Sequence, residues 1–316
     1  MEQKKQQFKE AALKLGFDNI GITNVSGDLP YLKDANKALV EGRYGPLDYL
    51  VKTHNVRMDI QQFLPNCQSI IIVQKNYYTG NHPQTIEKEA KIARYAWGRD
   101  YHHWFKKRLK KLLLQMDEIF NVPHNSRIFN DTAPVLEKSW AQKAGLGFIG
   151  KSSLLISREF GTWTLLGGIA TDISIPPDEP YNGPDCGSCN KCMEACPTKA
   201  IVEPRKVDAN KCIATWTIER TLHPDSILNS YRDTEWAFGC DICQEVCPWN
   251  KFQKITKDED FQAKKERVFL TKETFLSDLN GSSLNRTKKI GLLTNFLRIK
   301  SSLGKKTLSS IISQDN

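Results

Sequence analysis

Eight of the nine cysteines in this 316-residue chain fall between residues 186 and 247. The first run reads Cys186-x-x-Cys189-x-x-Cys192-x-x-x-Cys196-Pro197, and the second Cys240-x-x-Cys243-x-x-x-Cys247-Pro248. Closely spaced thiolates suit neighbouring corners of a cubane, and the proline after the last one turns the chain away without offering an N–H. Aligned on their Cys-Pro ends, the second run has Ala237 where its first cysteine should stand, and Cys212 between the runs replaces it. The fourth cysteine of such a run ligates the other cluster. Cys186, Cys189, Cys192 and Cys247 are therefore assigned to one 4Fe-4S cluster, and Cys196, Cys212, Cys240 and Cys243 to a second.

Other uses of these cysteines fit less well. Zinc accounts for paired CxxC ligands but not for two proline-ended runs plus a singleton. Disulfides need an oxidising compartment, whereas Met1 to Glu10 is polar and lysine-rich with no apolar core, unlike an export signal. A soluble, cytoplasmic protein is expected. No apolar run approaches the ~20 residues of a membrane span. Cys67 precedes Ile70-Ile71-Ile72-Val73 and is expected to be a buried, inert thiol.

The chain is longer than two clusters require, and at ~100–200 residues per domain it predicts two domains and a small third part. Residues 1–175 read as α/β. Phe8, Ala12 and Leu15 recur at helical spacing, Ile20 to Ile22 and Ser69 to Val73 read as strands, and Tyr101 to Phe120 is the clearest helix. Arg127 to Phe129 predicts a strand, followed by a helix ending at Ala144 with Asp131 suited to cap it. Strands are expected at 153–156 and 162–169. The turn-prone Pro176-Pro177-Asp178-Glu179-Pro180 introduces the cluster domain, 176–255, and 256–316 is expected to be a basic helical tail.

Charge is uneven along this plan. The net charge is +9, and Arg286, Lys288, Lys289, Arg298, Lys300, Lys305 and Lys306 face a single acid, Asp315, in the last stretch. Lys106, Lys107, Arg108, Lys110 and Lys111 mark a second stripe on the 101–120 helix. Clustered positive charge is the footprint of a polyanion such as nucleic acid. The glycine-rich turn Gly145 to Gly150, before Lys151, Ser152 and Ser153, lets backbone approach a ligand closely.

Several separated stretches together resemble the epoxyqueuosine reductase family. They are Arg57-Met58-Asp59, Arg94-Tyr95-Ala96-Trp97-Gly98-Arg99-Asp100-Tyr101-His102, Asp131-Thr132-Ala133-Pro134-Val135-Leu136-Glu137-Lys138, and Ala144 to Lys151. The two cysteine runs, with Gly239-Cys240-Asp241-Ile242-Cys243-Gln244 around the second, complete the series. The resemblance implies a cobalamin-binding α/β (α+β) domain packed on a ferredoxin-like two-cluster domain, with a short helical C-terminal segment. It implies reduction of epoxyqueuosine to queuosine at the tRNA wobble position. The electrons would come from an external low-potential donor of ferredoxin or flavodoxin type, and the enzyme is expected to be a monomer. A dehalogenase-like reductase of a small molecule is the alternative.

Residue by residue, the resemblance makes Asp131 the proton donor. It places Arg57, Trp97, Asp131, Lys151, Ser152, Ser153, Gly239, Cys240, Asp241 and Ile242 against cobalamin. It places Leu136, Glu137, Lys138, Arg286, Lys288, Lys289 and Arg298 against tRNA. Many members continue into a helical-repeat tail, whereas here only 256–316 follow the cluster domain. Phe105 stands where a cobalt-ligating Asp-x-His-x-x-Gly motif needs glycine, so no histidine ligand is indicated. His102 and His103 are expected to shape the pocket or cap their helix.

Overall fold

The computed structural model describes residues 1–84, 89–219 and 234–302. Lys305 and Lys306 lie outside the described residues, as does the side chain of Lys300. Its centre is a four-stranded antiparallel sheet in the order Asn19–Asn24, Ser69–Asn76, Thr164–Thr171, Ser126–Phe129. All eight residues of the second strand are buried. Ile71 and Val73 enter one core, with Phe8, Phe105 and Leu112, while Ile70 and Ile72 enter another, with Phe63, Phe129 and Trp140. That two-residue alternation places a helical layer on each face of the sheet.

The helix Tyr101–Phe120 covers one face. It starts where the Asp100 carboxylate accepts the His102 backbone N–H at 3.0 Å and stops at Asn121, which adopts φ 49. Trp104, Phe105, Leu109, Leu112 and Met116 form its buried stripe. Phe105 can lie directly on the sheet because Gly167 lacks a side chain; a Cβ there would meet the Phe105 ring at 2.6 Å. Of the expected basic stripe, Lys106, Lys107, Lys110 and Lys111 are exposed. Arg108 turns inward instead, its guanidinium 3.9 Å from the Trp104 ring and donating to the Leu15 carbonyl.

Several boundaries shift from those read in the sequence. The helix after Asp131 spans Glu137–Lys143 and begins at Leu136, so Asp131 does not cap it. The strand expected at 153–156 shrinks to Leu155–Ile156, paired with Phe148–Ile149, and that expected at 162–169 is Thr164–Thr171. Asp178 fastens the expected linker back onto the first core, taking Lys5 at 2.9 Å, Lys9 at 2.8 Å and the Ile22 N–H at 2.8 Å.

The expected linear division into three parts is crossed in space. Lys91–Ile92 pairs in parallel with Trp236–Phe238, and Ile92 and Trp97 share a core with Phe238, Leu284, Leu292 and Ile299. The 256–302 segment thus packs its helix Lys288–Ser302 onto the middle of the chain. Apolar residues every three or four positions within a basic sequence account for this docking. Among the described residues, no helix is long and apolar enough to cross a membrane.

Candidate active site

Two sets of thiols come together. Cys186, Cys189, Cys192 and Cys247 line one cavity with Lys151, Ser152, Ile156, Pro248 and Trp249. Gly150 makes room there, and the Lys151 N–H donates to the Cys186 sulfur at 3.4 Å. The Lys151 ammonium holds the same loop through the Gly187 carbonyl at 2.8 Å and Asn190 at 2.9 Å. In the second set Cys240 lies near Cys243 and Cys212, and Cys243 near Cys212 and Cys196. Burial and the neighbouring sulfurs push the thiols of Cys240 and Cys243 up, and burial first, with the first set around it, raises Cys247 to about 11. Iron would supply the positive charge that such mutually repelling thiolates need. Among the described residues no three donors are grouped to hold a single metal ion. Cys67 belongs to neither set: it is fully buried, and burial raises its thiol to about 11.

The loop of the second set is bolted to the α/β layer. Arg94, whose side chain is 1% exposed, donates to Asp241 Oδ2 at 2.9 Å and to Glu245 Oε1 at 2.8 Å. The Arg94 backbone N–H donates to the same Asp241 oxygen at 2.9 Å. Gly239 adopts φ 69 beside Ala93, where a Cβ would stand 2.5 Å from the Ala93 methyl. The Asp241 side chain is therefore buried and held by Arg94. Trp97 is likewise a core residue, 2% exposed, with its indole N–H donating to the Ile92 carbonyl at 2.7 Å.

Asp131 lies on the segment that leads into the helix Glu137–Lys143. It follows the strand Ser126–Phe129 and adopts φ 50, a left-handed conformation that aspartate tolerates better than most residues. Its backbone N–H donates to Glu137 Oε1 at 2.6 Å. Its carboxylate is half exposed, and Oδ2 lies 3.0 Å from His102 Nε2. His102 Nδ1 in turn lies 2.8 Å from Asp100 Oδ1, and the imidazole stacks on the Tyr101 ring at 4.1 Å. Tyr101 packs edge-on against Tyr95, 5.9 Å away, and Tyr95 lies beside Gly239, where a Cβ would stand 3.5 Å from its ring. A run of aromatic side chains therefore leads from Asp131 to the residue that precedes Cys240.

The electrostatics follow from that packing. Desolvation alone would raise the Asp131 pKa, but hydrogen bonds from His102 and Tyr101 and the charges of His102 and Arg286 hold it below the usual value. Desolvation works against a charged His102, yet Asp100 and Asp131 raise it to about 9. Burial, and then the Asp131 charge, raise Glu137 to about 8.

The remaining sequence candidates divide. Arg57 reaches this side, donating to Thr53 Oγ1 at 3.1 Å and to the Val135 carbonyl at 3.4 Å. Lys138 donates to the Ser153 carbonyl at 2.7 Å, and Ser153 Oγ donates to the Arg205 carbonyl at 2.5 Å. Lys151 and Ser152 stand at the first thiol set, as above, and Leu136 starts the helix beside Glu137. Lys288 and Lys289 are exposed, and Arg286 is half exposed with its guanidinium 2.6 Å from Glu219. Arg298 points inward, 8% exposed and donating to the Trp236 carbonyl at 2.7 Å, so its charge serves the core rather than an external face. Sequence reading missed the Asp100–His102–Asp131 row and the Arg94–Asp241 bolt. Both lie inside quoted motifs, but only folding reveals which motif faces which.

Comparison with known proteins agrees with this geometry. The family model described as "Epoxyqueuosine reductase QueG, DUF1730" matches residues 57–132, and the "4Fe-4S double cluster binding domain" matches 185–250. Epoxyqueuosine reductase of Cyclobacterium marinum is 37% identical over 95% of this chain and 98% of its own length. That of Escherichia coli is 37% identical over 93% of this chain and 80% of its own. The structure of epoxyqueuosine reductase from Streptococcus thermophilus superposes with a TM-score of 0.83 at 25% identity, covering 99% of this chain and 86% of that one. An epoxyqueuosine reductase crystallised with an epoxyqueuosine-modified tRNA-Tyr stem loop superposes at 0.80, with 25% identity over 94% of this chain and 81% of that one. With two thiol sets and relatives matched along nearly its whole length, this chain belongs to the epoxyqueuosine reductase family.

Proposed function

We propose that this oxidoreductase converts epoxyqueuosine to queuosine at the wobble position of tRNA, the last step of queuosine biosynthesis. The observation that carries the reading is the half-exposed Asp131 carboxylate, bonded to His102 and linked through Tyr101 and Tyr95 to Gly239, which precedes Cys240. Removing an epoxide oxygen consumes two electrons and two protons and leaves an alkene and water. Iron–sulfur clusters move electrons singly, so the two thiol sets suit a relay that ends below Asp131. Cobalamin, when bound, supplies a centre that can gather two electrons and attack carbon.

The residues present fit such a group. Asp131 remains half exposed although Tyr101, Glu137 and Arg286 approach it from three segments, so its carboxylate can still reach a bound group. His102 has both ring nitrogens engaged by carboxylates, so it serves Asp131 and not a metal. Arg57 and Asp131, with Gly239 and Ile242 on the cluster loop, are the residues best placed to hold it. Asp131 then delivers a proton to the epoxide oxygen as the ring opens.

A polyanionic substrate suits the exposed Lys288 and Lys289, the Arg286 guanidinium near Asp131, and the lysines of the 101–120 helix. Leu136, Glu137 and Lys138 open the helix that follows Asp131. The first thiol set lies towards the surface beside Lys151, where a low-potential carrier of ferredoxin or flavodoxin type can reach it. The chain works as a monomer in the cytoplasm.

Anaerobic turnover of epoxyqueuosine-bearing tRNA with added cobalamin and a low-potential reductant tests the reading. Appearance of queuosine, one oxygen lighter, supports it. Absence of conversion by protein with both clusters loaded overturns it.

A further inference from the structure

Asp131 alone is an awkward proton donor. Its carboxylate is held in the charged form, and the reaction needs two protons, one for each C–O bond broken. The neighbouring imidazole changes this. Its two nitrogens lie between two carboxylates, 2.8 Å from Asp100 and 3.0 Å from Asp131. The ring is fixed by stacking on Tyr101, and Asp100 is fixed in turn because it also accepts the His102 backbone N–H at the start of its helix. The side chain of His102 is 35% exposed, so one edge still meets solvent.

We propose that His102 is the positioning residue that recharges Asp131, passing its Nε2 proton to Asp131 Oδ2 each time Asp131 gives one to the substrate oxygen. This rests on the reading of Asp131 as the donor to an epoxide. At rest the proton sits on His102 and Asp131 is a carboxylate. As the first C–O bond breaks, the oxygen takes a proton through Asp131 while Nε2–H moves onto Oδ2. The carbon that loses this bond takes up the two electrons from the clusters, and the oxygen becomes a hydroxyl group beside a neutral imidazole and an unchanged carboxylate. Solvent then reprotonates the imidazole. The second C–O bond breaks when the hydroxyl takes a proton by the same route and leaves as water, and the electron pair held at the neighbouring carbon closes the carbon–carbon double bond.

The groups facing His102 come from every neighbouring segment. Asp100, Tyr101 and His103 belong to its own helix and cap, Asp131 to the loop opposite, Glu137 to the helix that follows that loop, and Tyr95 to the turn beneath. Arg286, from the C-terminal segment, faces Asp131. The two carboxylates in direct contact dominate, and they raise His102 to about 9. A donor of that pKa is charged throughout the neutral range and still transfers readily to an oxygen that is developing negative charge.

The experiment is single turnover of epoxyqueuosine tRNA by protein loaded with clusters and cobalamin, followed across pH on both sides of about 9. The wild-type rate should fall as pH rises through that value. His102→Gln still donates a hydrogen bond to Asp131 but has no proton to release. Its rate should drop ~10²-fold or more and lose the alkaline limb, with tRNA affinity and cluster absorbance unchanged. Asp100→Asn keeps a capping side chain but removes one of the two charges holding the imidazolium. Its alkaline limb should move to lower pH. A His102→Gln profile with the wild-type limb overturns the proposal, as does an unmoved limb in Asp100→Asn if His102→Gln fails to fold. Absence of wild-type turnover overturns instead the reading on which the proposal rests.

Discussion

Arg94 and Asp241 face each other 2.9 Å apart, each with a side chain 1% exposed, and join the α/β layer to the loop between Cys240 and Cys243. Removing one partner leaves an uncompensated buried charge, which costs about 3–5 kcal/mol. Arg94→Met should lower the midpoint of thermal unfolding and weaken retention of the second cluster before the first. Calorimetry with iron analysis of anaerobically prepared protein checks this. Equal loss from both clusters would contradict the local role given to the pair.

The thiol sets make a count. Reconstituted protein should hold about eight irons and eight sulfides, four in each cluster. Cys212→Ser should lose the cluster shared with Cys196, Cys240 and Cys243 and keep the other. Iron content and electron paramagnetic resonance of the reduced variant give the answer, and two surviving clusters would refute the crossed assignment.

Asp131→Asn preserves size and most hydrogen bonding but removes the carboxylate that can take up a proton and pass it on. Turnover should fall by ~10²–10⁴ while cobalamin and tRNA still bind. Thr132→Ala, whose hydroxyl makes one long hydrogen bond of 3.5 Å to the Asn130 carbonyl, is the control and should stay near the native rate. A near-native rate in Asp131→Asn would place the donor elsewhere.

The basic residues of the C-terminal segment should separate by direction. Reversing charge at exposed Lys288 and Lys289 should weaken tRNA binding and flatten its salt dependence by ~0.7–0.9 log units for each phosphate no longer neutralised. Arg298→Ala should chiefly destabilise, because its guanidinium satisfies the Trp236 carbonyl in the core. Filter binding across salt and thermal unfolding distinguish the two effects.

Stability should also depend on pH. In the folded chain His102 is raised from 6.5 to about 9, so the protonated ring is favoured. That contribution is complete below about 6.5 and lost as pH rises through about 9. Glu137, raised to about 8, acts with the same sign because its neutral form is the favoured one. Thermal midpoints should therefore decline over this window, and His102→Gln should flatten the upper part of the decline.

Sequence alone exposed whatever is written in local pattern. The cysteine runs named their chemistry because cluster ligands lie two or three residues apart. Ser69 to Val73 announced itself as a buried strand, and the 101–120 helix as amphipathic. What stayed hidden depends on long-range meetings. Asp131 reads as an N-cap in isolation, yet Leu136 starts the next helix and the Asp131 side chain turns to a histidine twenty-nine positions earlier in the chain. Arg298 looks like part of a basic surface until the 288–302 helix docks and buries it. Periodicity carries no information about such partners, and neither does charge.

The bare backbone of Gly167 has a reach beyond its own strand. By letting the Phe105 ring rest on the sheet, it sets how deep the 101–120 helix sits, and Phe105 lies one turn after His102. A methyl group at Gly167 would act as a wedge, lifting the start of that helix and carrying the imidazole away from Asp131 without touching either. A single missing carbon on the central sheet thus calibrates the alignment of a proton route one turn along the helix.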